Sequence, residues 1–262
     1  MKLKLWKKQS APNASKKIFF LHVPKCGGTS CRTAIGNAFD LPIGSSDESF
    51  HLDAAATVSA AETLEKPIIQ LNRELLNYCM AHKSYRYISG HFAYSEKAMQ
   101  TYGANWQYIT LLRDPVAKWF SQYFYNRHKN SGHYRLNCDL ETFLETDNAI
   151  KLGSNYIHLL ADGVSSEEAA TDEAINRAIE NLNKFALVGL LEHLDWFCQD
   201  FQTIFGTELK LKKLNKNPLP ETQRKQQITD DIRSRVWEIC QPNMRLYEAA
   251  TKIVAARREQ AA

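Results

Sequence analysis

Cysteine pairs are missing from this chain. None of its six cysteines, at positions 26, 31, 79, 138, 198 and 240, stands in a C-x-x-C spacing, which removes zinc ribbons and dithiol redox motifs. Long apolar runs are missing too. No stretch approaches the roughly 20 residues of a membrane-spanning helix, so no integral membrane segment is expected. The opening stretch, MKLKLWKKQSAPNASKK, is basic and has no apolar core of signal-peptide length. It reads as a flexible basic leader over residues 1–17, before a single domain over residues 18–262, and the expected setting is cytoplasmic. Charge of one sign is scarce: 33 Lys and Arg stand against 29 Asp and Glu, a net +4. That falls short of a dedicated nucleic-acid binder, so no nucleic-acid partner is expected, and it suits an anionic ligand. Two nucleotide-binding patterns, G-x-x-x-x-G-K-[ST] and G-x-G-x-x-G, are absent as written. Internal repeats and low-complexity tracts are absent as well.

What is present is a core and an alternation. Hydrophobic residues make up 44% of the chain, enough for a substantial interior. Residues 18–23, 85–89, 107–112 and 185–189 are rich in β-formers and read as strands. Helical spacing follows each. Cys31, Ala34, Ile35 and Ala38 define one face over 29–39. Short helices are expected at 96–102, 139–145 and 155–160, and a polar one at 166–183. Asp114 and Pro115 suit the N-cap and first position of a helix to about 129. Leu194, Phe197, Cys198, Phe201, Ile204 and Phe205 mark a strongly amphipathic helix. Helices near 229–240 and 243–257 close the chain. Residues 40–53 read as a loop, 54–82 as weak helices broken at Pro67, 209–212 as a short edge strand, and 213–226 as a basic loop. Strands alternating with helices predict an α/β fold with a central parallel sheet and helices on both faces.

The stretch with the most chemistry is IFFLHVPKCGGTSCRT, residues 18–33. Pro24 ends the apolar run. Lys25, Cys26, Gly27, Gly28, Thr29 and Ser30 then lead into a helix. Glycines let backbone N–H groups approach an anion, and the helix dipole favours negative charge there. An ordinary strand-to-helix turn would also hold glycines. It would not need a lysine, two glycines and two hydroxyls together.

Two further signals stand after strands. Arg113 opens R-D-P-V-A-K-W-F-S, with Ser121 about two turns along the helix. Arginine presents a planar fork of donors suited to a phosphate monoester. The plainer alternative pairs Arg113 with a carboxylate and leaves Ser121 solvated. His91 closes I-S-G-H, just past a strand end, where open α/β sheets keep reactive groups. Histidine titrates near neutrality and suits a general base, although a lone loop histidine is often only structural. His22 reads as packed within the first strand. His51, His128 and His133 fall near loops, in reach of a cleft. His158 and His193 have no motif around them. Phe120, Tyr123 and Phe124 read as core.

These residues carry a resemblance. P-K-x-G-G-T-S after a strand resembles the 5′-phosphosulfate loop of sulfotransferases that use 3′-phosphoadenosine 5′-phosphosulfate (PAPS), and R-D-P with a serine eight residues after the arginine resembles their 3′-phosphate motif. The likeness is to the carbohydrate group that includes heparan-sulfate 2-O-sulfotransferases. Cys26 stands where that family most often has threonine. The resemblance implies a three-layer, P-loop-like fold. It implies a sulfuryl transfer from PAPS to a hydroxyl acceptor, on a glycan or glycolipid, releasing adenosine 3′,5′-bisphosphate without a metal. It gives His91 the role of base and Lys25 that of stabilising the leaving phosphate, with Lys25, Cys26, Gly27, Gly28, Thr29, Ser30, Arg113 and Ser121 binding the cosubstrate. More loosely, Lys212, Lys213, Asn215 and Lys216 resemble a loop that closes over the nucleotide. Two alternatives stay open: a nucleotide kinase of related architecture, and a non-catalytic nucleotide-binding module.

Overall fold

The structure, a computed structural model, describes residues 16–261 apart from 45, 131, 133 and 213–217. Its strands are β1 (Lys17–Leu21), β2 (Ser49–His51), β3 (Tyr87–Gly90), β4 (Trp106–Leu112) and β5 (Leu187–Leu190). They form one all-parallel sheet in the order β2-β3-β1-β4-β5. β1 is central, with Phe20 opposite Ser89 on one side and Ile109 on the other.

Helices fill the crossovers. α1 (Gly28–Ala38) joins β1 to β2, and α2 (Ala54–Thr63) and α3 (Ile68–Ala81) join β2 to β3. α4 (Glu96–Tyr102) leads to β4. Between β4 and β5 lie α5 (Pro115–His128), α6 (Leu140–Leu144), α7 (Asp147–Gly153), α8 (Asn155–Leu160) and α9 (Asp172–Asn183). α10 (Leu194–Phe205), α11 (Glu221–Gln226), α12 (Asp230–Ile239) and α13 (Gln241–Ala261) follow β5.

The unbroken apolar run of β1 is explained by burial on both faces. Ile18 and Phe20 pack with Cys31 and Ile35 of α1 and with Phe197 and Phe201 of α10. Phe19 and Leu21 face the other way, onto Leu76, Ala98, Leu160, Ala178 and Leu246. Burying one such side chain is worth about 1.5–3 kcal/mol. A one-residue slip would exchange the two sets, so packing pins the register. A third cluster sets α5 through Trp119, Phe120, Tyr123 and Phe124 against Phe143, Ile232 and Val236.

Four local expectations are corrected. β2 lies inside the stretch expected to be a loop; it has only three residues, and its pairing with β3 is non-local. α7 occupies a stretch given no element. Residues 209–212 form no strand: Leu209 and Leu211 pack on the α1–α10 layer, so their alternation with lysines reflects contact with helices. Within the expected basic loop, 221–226 is helical. No helix among the described residues is long and apolar enough to cross a membrane.

A parallel sheet points all its strand ends the same way. α1 leaves β1 on one face and α4 leaves β3 on the other. The crevice opened by that reversal, outside the carboxyl ends of β1, β3 and β4, is where open α/β sheets bind ligands.

Candidate functional site

The turn after β1 is held tightly. The His22 amide donates to the Gly90 carbonyl at 2.9 Å. Lys25 takes a left-handed conformation, φ 64°, which costs a non-glycine residue about 1–2 kcal/mol. Gly27, φ 75°, supplies the N-cap of α1. A Cβ on Gly28 would stand 1.7 Å from His22 Cδ2, so no larger residue fits while His22 keeps its place. The first amides of a helix have no intrahelical acceptor, and the first turn of α1 has no acidic residue to occupy them. Gly27, Gly28, Thr29 and Ser30 line a cavity of about 950 Å³, together with His22, Lys25, His91, Arg113 and Ser121. The cavity therefore meets the positive end of the α1 dipole.

Cations surround that end. The Lys25 ammonium lies 3.6 Å from the centroid of the Tyr125 ring. Burial, with the nearby charges of Arg113 and Lys129, pulls Lys25 down to about 8. Arg113 donates from Nη1 to the Lys25 carbonyl at 3.3 Å, and no carboxylate pairs with either residue among the described residues. The Tyr156 hydroxyl fixes the Arg113 backbone twice: it accepts from the amide at 3.1 Å and donates to the carbonyl at 2.6 Å. Asp114 caps α5 as expected, accepting from the Ala117 amide at 2.8 Å. Its own amide donates to Glu192 at 3.0 Å. Ser121 is only 8% exposed and reaches the cavity wall.

Beneath this wall lies a lysine that the sequence reading did not single out. Lys118 is completely buried. Its ammonium lies 5.3 Å from the Tyr156 ring centroid and 3.5 Å from Gln122 Oε1. Burial lowers it to about 8.

Cys26 does not face the cavity. It is fully buried, with Sγ 3.5 Å from the Tyr156 hydroxyl and 3.6 Å from the Pro24 carbonyl. Its amide turns back to the Val23 carbonyl at 3.4 Å. Burial pushes the thiol up to about 11. Neither its side chain nor its amide is directed at a ligand.

His91 lines the same cavity, beside His22. Its Nδ1 is 2.7 Å from the His22 carbonyl. A carbonyl only accepts, so Nδ1 carries the proton and Nε2 keeps the lone pair. The Asn72 carboxamide donates to the His91 carbonyl at 2.8 Å. The His22 and His91 rings are 4.4 Å apart. Burial chiefly holds His91 below the ordinary histidine range, against the opposing hydrogen bond to His22. His22 follows β1 rather than lying within it; it is buried, and its Nδ1 has no partner among the described residues.

Lys25, Gly27, Gly28, Thr29, Ser30, His91, Arg113 and Ser121 thus share one cavity, to which Lys212 also contributes. His51 and His128 do not line it. His133, Lys213, Asn215 and Lys216 lie outside the described residues. Phe120, Tyr123 and Phe124 are core, as expected. The sequence reading missed Tyr156 and Asn72, which carry no motif.

No protein-family model matches the chain, and no curated protein matches it. Among the described residues, no group of three or more His, Cys, Asp or Glu could hold a metal ion. What the site offers an anion is a helix N-terminus and the cations Lys25, Arg113, Lys129, Lys212 and Arg224, beside a neutral imidazole whose Nε2 keeps its lone pair.

Proposed function

We propose that this protein is a PAPS-dependent sulfotransferase acting on a hydroxyl, of a glycan or glycolipid. One observation carries the reading: residues of the two motif sets, 25–30 and 113–121, line one cavity together with His91, whose Nε2 is left as acceptor. A central β1 followed by the anion loop supports a P-loop-like fold. In the proposed reaction the acceptor oxygen attacks sulfur while its proton passes to His91 Nε2. The bond from sulfur to the 5′-phosphate oxygen breaks, and adenosine 3′,5′-bisphosphate leaves. Charge grows on that oxygen only as the bond breaks, so the Lys25 ammonium there favours the transition state over the ground state. Arg113 and Ser121 serve the 3′-phosphate. Cys26 serves the loop by packing and does not touch the cosubstrate.

The test is transfer of labelled sulfate from PAPS to a panel of glycans, glycolipids and phenols by the full chain. Transfer should be lost in His91→Ala, which should still bind adenosine 3′,5′-bisphosphate. Undiminished transfer by His91→Ala sinks the base assignment. Phosphoryl transfer from ATP that stops in excess chelator would favour a kinase instead.

A further inference from the structure

Outside the cavity lining, a cation is held without a counter-ion among the described residues. Arg32 of α1 donates from Nη1 to His51 Nε2 on β2. It makes no ion pair among the described residues, and its Nε is buried without a partner there. Its carbonyl accepts from the Tyr87 hydroxyl at 2.8 Å, fixing that turn of α1 to the sheet. His51 Nδ1 lies 3.1 Å from the Ser89 carbonyl. Because Nε2 accepts from Arg32, Nδ1 must be the protonated nitrogen and donate to Ser89. Ser89 is two residues before His91. The same carbonyl also accepts from the Leu52 amide at 2.9 Å.

We infer that Arg32, acting through His51 and the end of β3, is a positioning residue that keeps His91 a neutral acceptor. The inference rests on reading His91 as the base. A second proton on His51 would break the Arg32 bond and set two cations side by side, so His51 stays neutral. The groups facing His91 and its partners are the His22 ring at the end of β1, Arg32 from α1, His51 from β2 and the neutral Asn72 from α3. Lys25 acts on His22, and Asp53, which caps α2, acts on His51. The Arg32 charge lowers His22, His51 and His91 alike, with burial the larger cause in each, and His51 falls to about 4. The cluster therefore carries one charge, that of Arg32, and three neutral imidazoles. Its consequence is a base that remains deprotonated in mildly acidic solution.

The experiment is an NMR titration of the histidine rings in the full chain, comparing wild type, Arg32→Gln and Arg32→Lys, with His128 as internal reference. In wild type, His91 should titrate below the ordinary value of 6.5. Arg32→Gln should move His91 and His51 upward, whereas Arg32→Lys, which keeps the charge, should leave His91 near its wild-type midpoint. A wild-type His91 midpoint at or above 6.5, no upward shift in Arg32→Gln, or an equal shift in Arg32→Lys overturns the inference. Should Arg32→Gln not fold, a wild-type midpoint at or above 6.5 or an upward shift in Arg32→Lys still overturns the inference. In transfer assays the acid limb of kcat/KM should move up with the His91 midpoint. The predicted ring shifts without sulfate transfer in any variant would overturn the sulfotransferase reading and leave the Arg32 role standing.

Discussion

Replacing Lys118 by methionine should stabilise the free protein. Lys118 is 0% exposed and has no carboxylate partner among the described residues. Its folded pKa of about 8 lies below its ordinary 10.5. A lysine lowered on folding binds fewer protons in the native than in the unfolded state between those values, so stability rises with pH across that window. Below pH 8 both states are protonated and the full burial cost is present, about 3 kcal/mol. By pH 9.5 the cost has fallen to about 1 kcal/mol by the same relation. Methionine keeps most of the packed stem and gives up the ammonium's contact with Tyr156, worth about 1 kcal/mol. The net gain is about 2 kcal/mol at pH 7 and near zero at pH 9.5. For a chain of this size that is a rise in Tm of roughly 4–8 °C at pH 7. The assay is thermal unfolding of both proteins at the two pH values; the difference between them cancels other groups that titrate there. A variant no more stable than wild type at pH 7, or an advantage that does not shrink by pH 9.5, refutes the reasoning. The charge has a use that would explain its retention: it sits behind Arg113, and adenosine 3′,5′-bisphosphate should bind Lys118→Met several-fold more weakly.

Other expectations are independent of this one. At pH 8, Lys25 and Lys118 are each about half protonated when free, and a bound anion raises both. Binding of adenosine 3′,5′-bisphosphate should then take up about one proton, read by calorimetry in buffers of different ionisation enthalpy; proton release would contradict it. Gly28→Ala should cost about 1–3 kcal/mol by overpacking against His22 and abolish measurable anion binding, checked by urea unfolding and titration. Tyr156→Phe leaves the Arg113 amide and carbonyl without their hydroxyl partner and should cost about 1–3 kcal/mol in the same unfolding assay. Cys26, with its thiol held up to about 11, should resist alkylation at pH 8 in the folded chain, and Cys26→Ala should bind the bisphosphate within twofold of wild type.

Some of this molecule was legible because the cause is local. Pro24, Gly27 and Gly28 end β1 and start α1 by backbone preference alone. Asp114 and Pro115 start α5 for the same kind of reason, and the Asp114 carboxylate makes the capping bond they imply. β2 was hidden because three residues are too few to show a period and their partner, β3, is over thirty residues away. Lys118 was hidden because one lysine on a helix reads as solvated, and burial is decided by Tyr156 and Cys240, which come from distant segments.

The direction of a side chain in an irregular turn is the least legible feature of all. Cys26 follows a left-handed Lys25, and that one positive φ turns the thiol into the core while sending the lysine to Tyr125. A motif fixes which residues stand in the turn, whereas the turn's dihedral angles fix which of them face a ligand. The same holds for His91. Its position after β3 follows from sequence, yet its usable lone pair depends on a carbonyl 69 residues away. The chemistry of the site is therefore a property of three strand ends brought together: carbonyls of the turn after β1 hold both His91, through His22, and Arg113, through Lys25.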